Sequence, residues 1–382
     1  MFGEHLKPDP PAEVEPVSQT PPEPVQPARR GGLRLLYIGG AGRSGSTLLD
    51  LMVGQYPGVF SGGELRQIWQ RGLRDNGYCG CRTRFRECPF WCQVGEAAFG
   101  GWQNLDLEAL VATRRTLDRP SSFAANIPGR RSGGSGRARP GEIARYISAL
   151  QSLLEGIRTV SGADVIADSS KSSTHARLLQ RIPELDLRLV RLLRDSRAVV
   201  FSWQRGARES RSEIEARYQH LELGGEAASD LPFPLGPSRD RRPRGEPKLG
   251  VPGAALRWLA SNVAAGRLAS DGVPSIVVKY EELVSRPKQS LTSILQLAGL
   301  PVEAEDLSFV QGDSVAIRPN HTVFGSNRLR FFSGTLPLHL DNEWRRSMRR
   351  RDRVATAAMT FPLLLRHGYP LRSARATDVA PV

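Results

Sequence analysis

One stretch of this chain, Leu35–Leu51 (LLYIGGAGRSGSTLLDL), limits what it can fold into more than any other. The apolar run Leu35 to Ile38 reads as a buried strand, and a helical apolar pattern starts at Leu48. Between them lie Gly39-Gly40-Ala41-Gly42 and then Arg43-Ser44-Gly45-Ser46-Thr47. A strand that feeds a helix through such a turn aims backbone N–H groups and the positive end of the helix at one point, which suits an anion. Triphosphate loops follow G-x4-G-K-[ST], with lysine directly after the second glycine. Here Gly45 is followed by Ser46 and Thr47, and the cation is Arg43, inside the turn. The pattern predicts a phosphate cradle of a different kind from the triphosphate one.

The rest of the chain continues the alternation that such a unit needs. A helical stretch opens near Glu64, a helix is expected around Leu105–Arg115, and Ile143–Val160 has apolar residues at helical spacing. A short strand, Asp164–Ala167, is followed by the polar turn Asp168-Ser169-Ser170-Lys171 and a helix to about Arg181. Leu187–Leu193 reads as a buried strand ending in Arg194-Asp195-Ser196, which signals the start of a helix Arg197–Arg205. Helix Ala254–Ser270, strand Ser275–Val278 and helix Lys288–Ala298 complete the series. The expected fold is α/β: a P-loop-like parallel sheet with helices on both faces, one domain over 33–372 carrying basic loop insertions at about 119–140 and 206–253. Residues 1–32 form a Pro-rich leader without an apolar signal region, and 373–382 a tail.

The net charge of +14 is partly clustered in Arg114–Arg145 and Arg205–Lys248. Solvated basic loops and steering of a polyanionic small ligand both account for that. No aromatic interleaving or groove-reading motif accompanies it, so no nucleic-acid partner is expected. No apolar run approaches the ~18 residues of a membrane span, and a cytoplasmic protein is the default expectation. The four cysteines share one window, Cys79, Cys81, Cys88 and Cys92. Zinc is disfavoured, because C-x-C is not the usual knuckle and no histidine is near in sequence; a loop pinned by a disulfide or by buried thiols is preferred, and no metal ligand is assigned.

Four segments carry a family resemblance: GAGRSGSTLL with the downstream SGGEL, VIADSSK ending in Lys171, LLRDSRAVVFSW containing Arg194 and Ser202, and VVKYEEL. In this order they resemble sulfotransferases that use 3′-phosphoadenosine-5′-phosphosulfate (PAPS), and are most similar to the bacterial and tyrosylprotein-type branch, whose loop carries arginine. The resemblance runs from about Leu35 to Tyr369. It implies that Arg43, Ser44, Gly45, Ser46 and Thr47 surround the 5′-phosphosulfate, and that Arg194 and Ser202 hold the 3′-phosphate. It makes Glu64 the catalytic base, Lys171 a basic residue at the reaction centre, and the segment from His321 to Arg330, with Asn327 and Arg330, a late nucleotide-contacting loop. Gly325-Ser326-Asn327 departs from the family's usual Gly-Asn-Pro, and the insert after Gly206 has no family counterpart.

The chemistry is consistent with those residue types. Sulfuryl transfer to a hydroxyl needs a base, charge relief on the departing phosphate and a grip on the donor, and arginine and lysine supply the charge without a required metal. Taken alone, Glu64 is an ordinary first-turn carboxylate, Ser202 a helix serine bonding back to a carbonyl, His175 a surface or packing residue, and Trp203 and Trp258 packing residues; a lone loop His321 is incidental. The expected activity is sulfuryl transfer from PAPS to a carbohydrate, lipid or other small-molecule hydroxyl. A small-molecule or nucleoside kinase, or a non-catalytic anion- or nucleic-acid-binding protein, are the rivals. Acceptor and oligomeric state are not encoded in any motif.

Overall fold

The computed structural model describes residues 32–118, 138–206, 249–325 and 327–371. The leader, most of both basic inserts, Ser326 and the tail lie outside them. Strand β1 (Arg34–Gly40) leads through the glycine turn into α1 (Ser46–Val53), and β2 (Val59–Ser61) follows. Helices α2 (Pro89–Phe99), α3 (Leu107–Leu117) and α4 (Pro140–Ser161) precede β3 (Val165–Lys171) and α5 (Ser173–Leu179). Then come β4 (Asp186–Leu193), α6 (Ser196–Gly206), α7 (Val251–Ser270), β5 (Ser275–Lys279), α8 (Tyr280–Ser285) and α9 (Pro287–Leu297). A small antiparallel sheet of β6 (Val310–Gln311), β7 (Ser314–Ile317) and β8 (Gly334–Pro337), then α10 (Trp344–Ser347) and α11 (Arg350–Arg366), close the described chain.

The main sheet is five-stranded and parallel, ordered β2-β3-β1-β4-β5. Its central strand shows why the run at Leu35 is apolar throughout. Leu35 and Tyr37 face a core containing Trp69, Trp91, Tyr146 and Leu153, while Leu36 and Ile38 face another built from Leu49, Met52, Leu283 and Ile294. With both faces covered, every position of β1 after Arg34 is buried, as the doubly covered parallel arrangement demands. A third cluster joins α6, α7 and α11 through Val199, Trp258 and Leu364. The described residues thus form one α/β domain. Among them no helix is long and apolar enough to cross a membrane.

Two local expectations change, and two elements come without one. The polar segment Asp168–Lys171 is not a turn but the end of β3, paired to β1 through Tyr37 and Gly39 across a register shift. Its polar groups stay in the sheet because most are met: Asp168 Oδ1 accepts from the Ser170 amide at 2.8 Å, and the Ser169 amide and hydroxyl both donate to the Gly63 carbonyl. The stretch after Glu64 is a 3₁₀ turn, Leu65–Gln67, running into π-helix over Ile68–Arg74. Strand β2, too short to show alternation, and the charge-rich α11 were invisible to periodicity.

The topology places the site. The chain builds β2 and β3 on one side of β1 and β4 and β5 on the other, so the order reverses at β1. In such sheets ligands bind beyond the carboxyl ends at that reversal. Those ends lead directly to Glu64, Lys171, the Arg43 turn, Arg194 and Tyr280.

Candidate active site

The turn after β1 is held in a conformation only partly open to ordinary residues. Gly40, Arg43 and Gly45 all have left-handed φ, at 131°, 69° and 91°. A Cβ on Gly40 would lie 2.3 Å from the Leu192 carbonyl oxygen, and one on Gly45 would lie 2.6 Å from the Tyr280 ring. Both glycines are therefore required by backbone and by space. Alternating left-handed residues curl the backbone N–H groups toward one point, and α1 begins there without a side-chain cap. Ser44 is fully buried and its hydroxyl has no hydrogen-bond partner. An unmet buried hydroxyl costs about 1–3 kcal/mol, which a ligand oxygen would recover. Ser46 and Thr47 are buried beside it, and Arg43 is exposed at the rim.

Glu64 and Lys171 meet at the ends of β2 and β3. Lys171 Nζ donates to Glu64 Oε1 at 2.9 Å and to the Ser169 carbonyl at 2.9 Å, from a backbone with φ of 64°. Burial by itself would raise the Glu64 pKa; Lys171, then Arg330 and Arg66, outweigh it and hold the carboxyl below its ordinary range. Glu64 is thus an ionised acceptor in a nearly closed environment. The segment after β7 packs over it: the Glu64 amide donates to the Val323 carbonyl at 3.3 Å, and Gly325 lies directly against the carboxylate.

Arg194, just past β4, joins the same edge. Its Nη1 donates to the Arg43 carbonyl at 3.1 Å, so Arg194 touches the glycine turn from a distant part of the chain. Its Nη2 donates to the Asp341 carbonyl at 2.9 Å and pairs with Asp341 Oδ2 at 3.0 Å, and its guanidinium lies 4.4 Å above the Tyr280 ring. Burial would raise the Asp341 pKa, but Arg194 and Arg205 hold it down. Trp258 Nε1 donates to the Arg194 carbonyl at 3.0 Å, which gives that packing residue a positioning role. Ser202 is half-buried on α6, and the guanidinium is engaged by Asp341 rather than by it. Asp341 and Tyr280 had no signal of their own in the sequence beyond Tyr280 lying in VVKYEEL.

In the late loop, Arg330 and Asn327 engage groups of the protein itself. Arg330 is fully buried; its Nη1 pairs with Asp50 of α1 at 2.5 Å and its Nη2 donates to Ser169 Oγ at 2.8 Å. It braces the floor of the site from below. Asn327 Oδ1 accepts from the Leu329 amide at 3.0 Å, capping the 3₁₀ turn Arg328–Phe331. His175, expected as surface or packing, is buried with Nε2 3.3 Å from Asp168. His321, read as incidental, sits among Cys79, Cys81 and Cys88, with all four donor atoms within 4.8 Å of one another.

Among solved structures, the chain is similar to the sulfotransferase domain from the Synechococcus PCC 7002 olefin synthase, at 19% identity over 91% of this chain and 98% of that one, with a TM-score of 0.44. It is also similar to the sulfotransferase domain from the curacin biosynthetic pathway, at 18% identity over 90% and 100%, TM-score 0.40. A further similarity is to sulfotransferase STF9 from Mycobacterium avium, at 14% identity over 90% and 79%, TM-score 0.40. No family model and no curated protein matches the sequence. Likeness at this level assigns neither activity nor substrate.

Proposed function

We propose that this chain transfers the sulfuryl group of PAPS to a hydroxyl of a small-molecule, glycan or lipid acceptor. The observation that carries the reading is the ionised Glu64 held 2.9 Å from Lys171 at the sheet edge that also bears a lysine-free anion cradle. The cradle fits a 5′-phosphosulfate: left-handed Arg43 and Gly45, the uncapped start of α1 and the unmet Ser44 hydroxyl offer donors where those oxygens would sit. Strands β3 and β4 flank β1, so at ~4.8 Å per strand Lys171 and Arg194 stand about 10 Å apart along the edge. A nucleotide with phosphate at both ends of its ribose bridges that span.

Bound PAPS supplies a sulfuryl group on a phosphate leaving group. Glu64, ionised and close under Gly325, accepts the proton of the acceptor hydroxyl. Lys171 orients that carboxylate and adds positive charge near the transferring group, while Arg43 offers charge at the rim of the cradle to the departing phosphate. Arg194 grips the 3′ end, exchanging part of its contact with Asp341 for the ligand. Ser202 stands on the helix that follows and closes the same end.

Labelled-sulfate transfer from PAPS into cell extracts tests the proposal, with Glu64→Gln as the control. Transfer that falls about 10²–10⁴-fold in the variant, with donor binding retained, is expected. Near-normal turnover of Glu64→Gln removes the base, and phosphate transfer from ATP without sulfate transfer from PAPS replaces the reading with a kinase.

A further inference from the structure

We propose that Cys79, Cys81, Cys88 and His321 bind a structural zinc ion that fastens the late loop over Glu64. The four donors come from three separate places: a knuckle containing Cys79 and Cys81, Cys88 at the start of α2, and His321 in the segment after β7. With Zn–S near 2.3 Å and Zn–N near 2.0–2.1 Å, a tetrahedron has S–S edges of about 3.8 Å and S–N edges of about 3.6 Å. The Cys81–Cys88 and Cys79–Cys88 sulfurs are 3.6 and 3.7 Å apart, and His321 Nδ1 lies 3.6 Å from Cys79 and 3.3 Å from Cys88. These are four of the six edges of one coordination tetrahedron, and all four donor atoms lie within 4.8 Å of one another.

The surroundings are built for it. The knuckle is closed by the Arg82 amide donating to the Cys79 carbonyl at 2.8 Å, with Arg82 at φ of 70°. Gly80 lies so close to the His321 segment that a Cβ there would meet Asn320 Oδ1 at 2.0 Å, and its amide donates to the Thr322 carbonyl at 3.0 Å. The His321 ring stacks on Phe90 at 4.9 Å, and its carbonyl accepts from Trp91 Nε1 at 2.9 Å, so the ring is aimed before any ion arrives. Thiolate and imidazole together suit zinc rather than calcium or magnesium. On binding, the three thiols give up their protons to solvent and the site carries a net charge of −1. Cys92 is exposed with its thiol on the Arg86 carbonyl, outside the tetrahedron, and serves as an internal control.

The consequence reaches the active site through one residue. Val323 is bridged to Cys79 on one side and to Gly63 on the other, and its carbonyl receives the Glu64 amide. An ion at the cluster thus fixes the strand-like segment that sets Glu64 and seats Gly325 against it. Zinc binding itself does not depend on which reaction the site performs, so loss of either conclusion leaves the other standing.

Metal analysis of the full-length protein, purified under reducing conditions without chelator, is the test. About one zinc per chain is expected, falling at least about tenfold in Cys88→Ser and in His321→Ala and unchanged in Cys92→Ser. Cobalt added to zinc-stripped protein is expected to give the intense visible absorption of thiolate-bound tetrahedral Co2+, and zinc removal to lower the melting temperature. If Cys88→Ser does not fold, the wild-type zinc content and cobalt spectrum decide alone. A wild-type chain that holds less than about a tenth of a zinc after reconstitution overturns the proposal. So does a Cys81–Cys88 disulfide found by mass spectrometry in the protein as isolated, or equal metal loss in Cys92→Ser.

Discussion

Gly325→Ala isolates the contact between the late loop and the candidate base. A Cβ at Gly325 would lie 2.1 Å from Glu64 Oε1, 2.2 Å from Cδ and 2.6 Å from Oε2. The backbone there is not left-handed, so alanine meets no conformational penalty and the effect is one of space alone. To regain ordinary van der Waals contact the carboxylate must retreat by about 1.3 Å, which stretches or breaks its 2.9 Å bond to Lys171. Overpacking of this kind costs about 1–3 kcal/mol, and a reacting group misplaced by about 1 Å loses on the order of 10²-fold in rate. Urea titrations of wild type, Gly325→Ala, Glu64→Ala and the double variant measure the coupling. Gly325→Ala is expected to destabilise the wild type by that amount and to cost almost nothing once Glu64 is alanine. Equal costs in both backgrounds, or wild-type midpoint and turnover in the single variant, would show that Gly325 does not press on Glu64.

Asp50→Ala leaves the Arg330 guanidinium buried without its carboxylate and should cost about 3–5 kcal/mol in a denaturant titration. Arg194→Ala should weaken binding of the 3′,5′-bisphosphate product about ten- to a hundredfold by calorimetry, charge-assisted bonds being worth ~1.5–3 kcal/mol each; unchanged affinity removes Arg194 from the donor site. Gly45→Ala, forced against the Tyr280 ring at a φ of 91°, should lose nucleotide affinity while thermal melting shows the fold retained. Glu64 and Asp341 are both held below the ordinary carboxylate range when folded. Their stabilisation is therefore complete above the unfolded-chain values near pH 4 and is lost as pH falls through the lower folded values. Stability measured against pH should show a shallower acid decline in Glu64→Gln than in wild type; identical curves would mean that Glu64 contributes nothing to it.

Much of this architecture is local information. The run at Leu35 is apolar at every position because β1 is covered on both faces, and the glycines after it answer to a carbonyl and a ring that approach too closely for a side chain. Motifs at strand ends were legible for the same reason: Arg43, Lys171 and Arg194 each follow a recognisable strand, and a parallel sheet puts all such ends at one edge. Where polar residues continue a strand, periodicity reads the second half of β3, Asp168–Lys171, as a turn: Asp168 is met by Ser170 within the strand, but the Gly63 carbonyl that accepts from Ser169 lies far away in the chain.

The alternating α/β plan and the kind of chemistry available at its carboxyl edge are written in the amino-acid order, since both depend on neighbours within a few residues. Which charged groups pair with one another emerges from the folded chain. It took Arg330 into a buried pair with Asp50, set Asp341 against Arg194, and brought His321 to the cysteines. Those choices join segments far apart in the chain, where a carboxylate, a guanidinium or a thiol is read only through the partner that burial forces upon it.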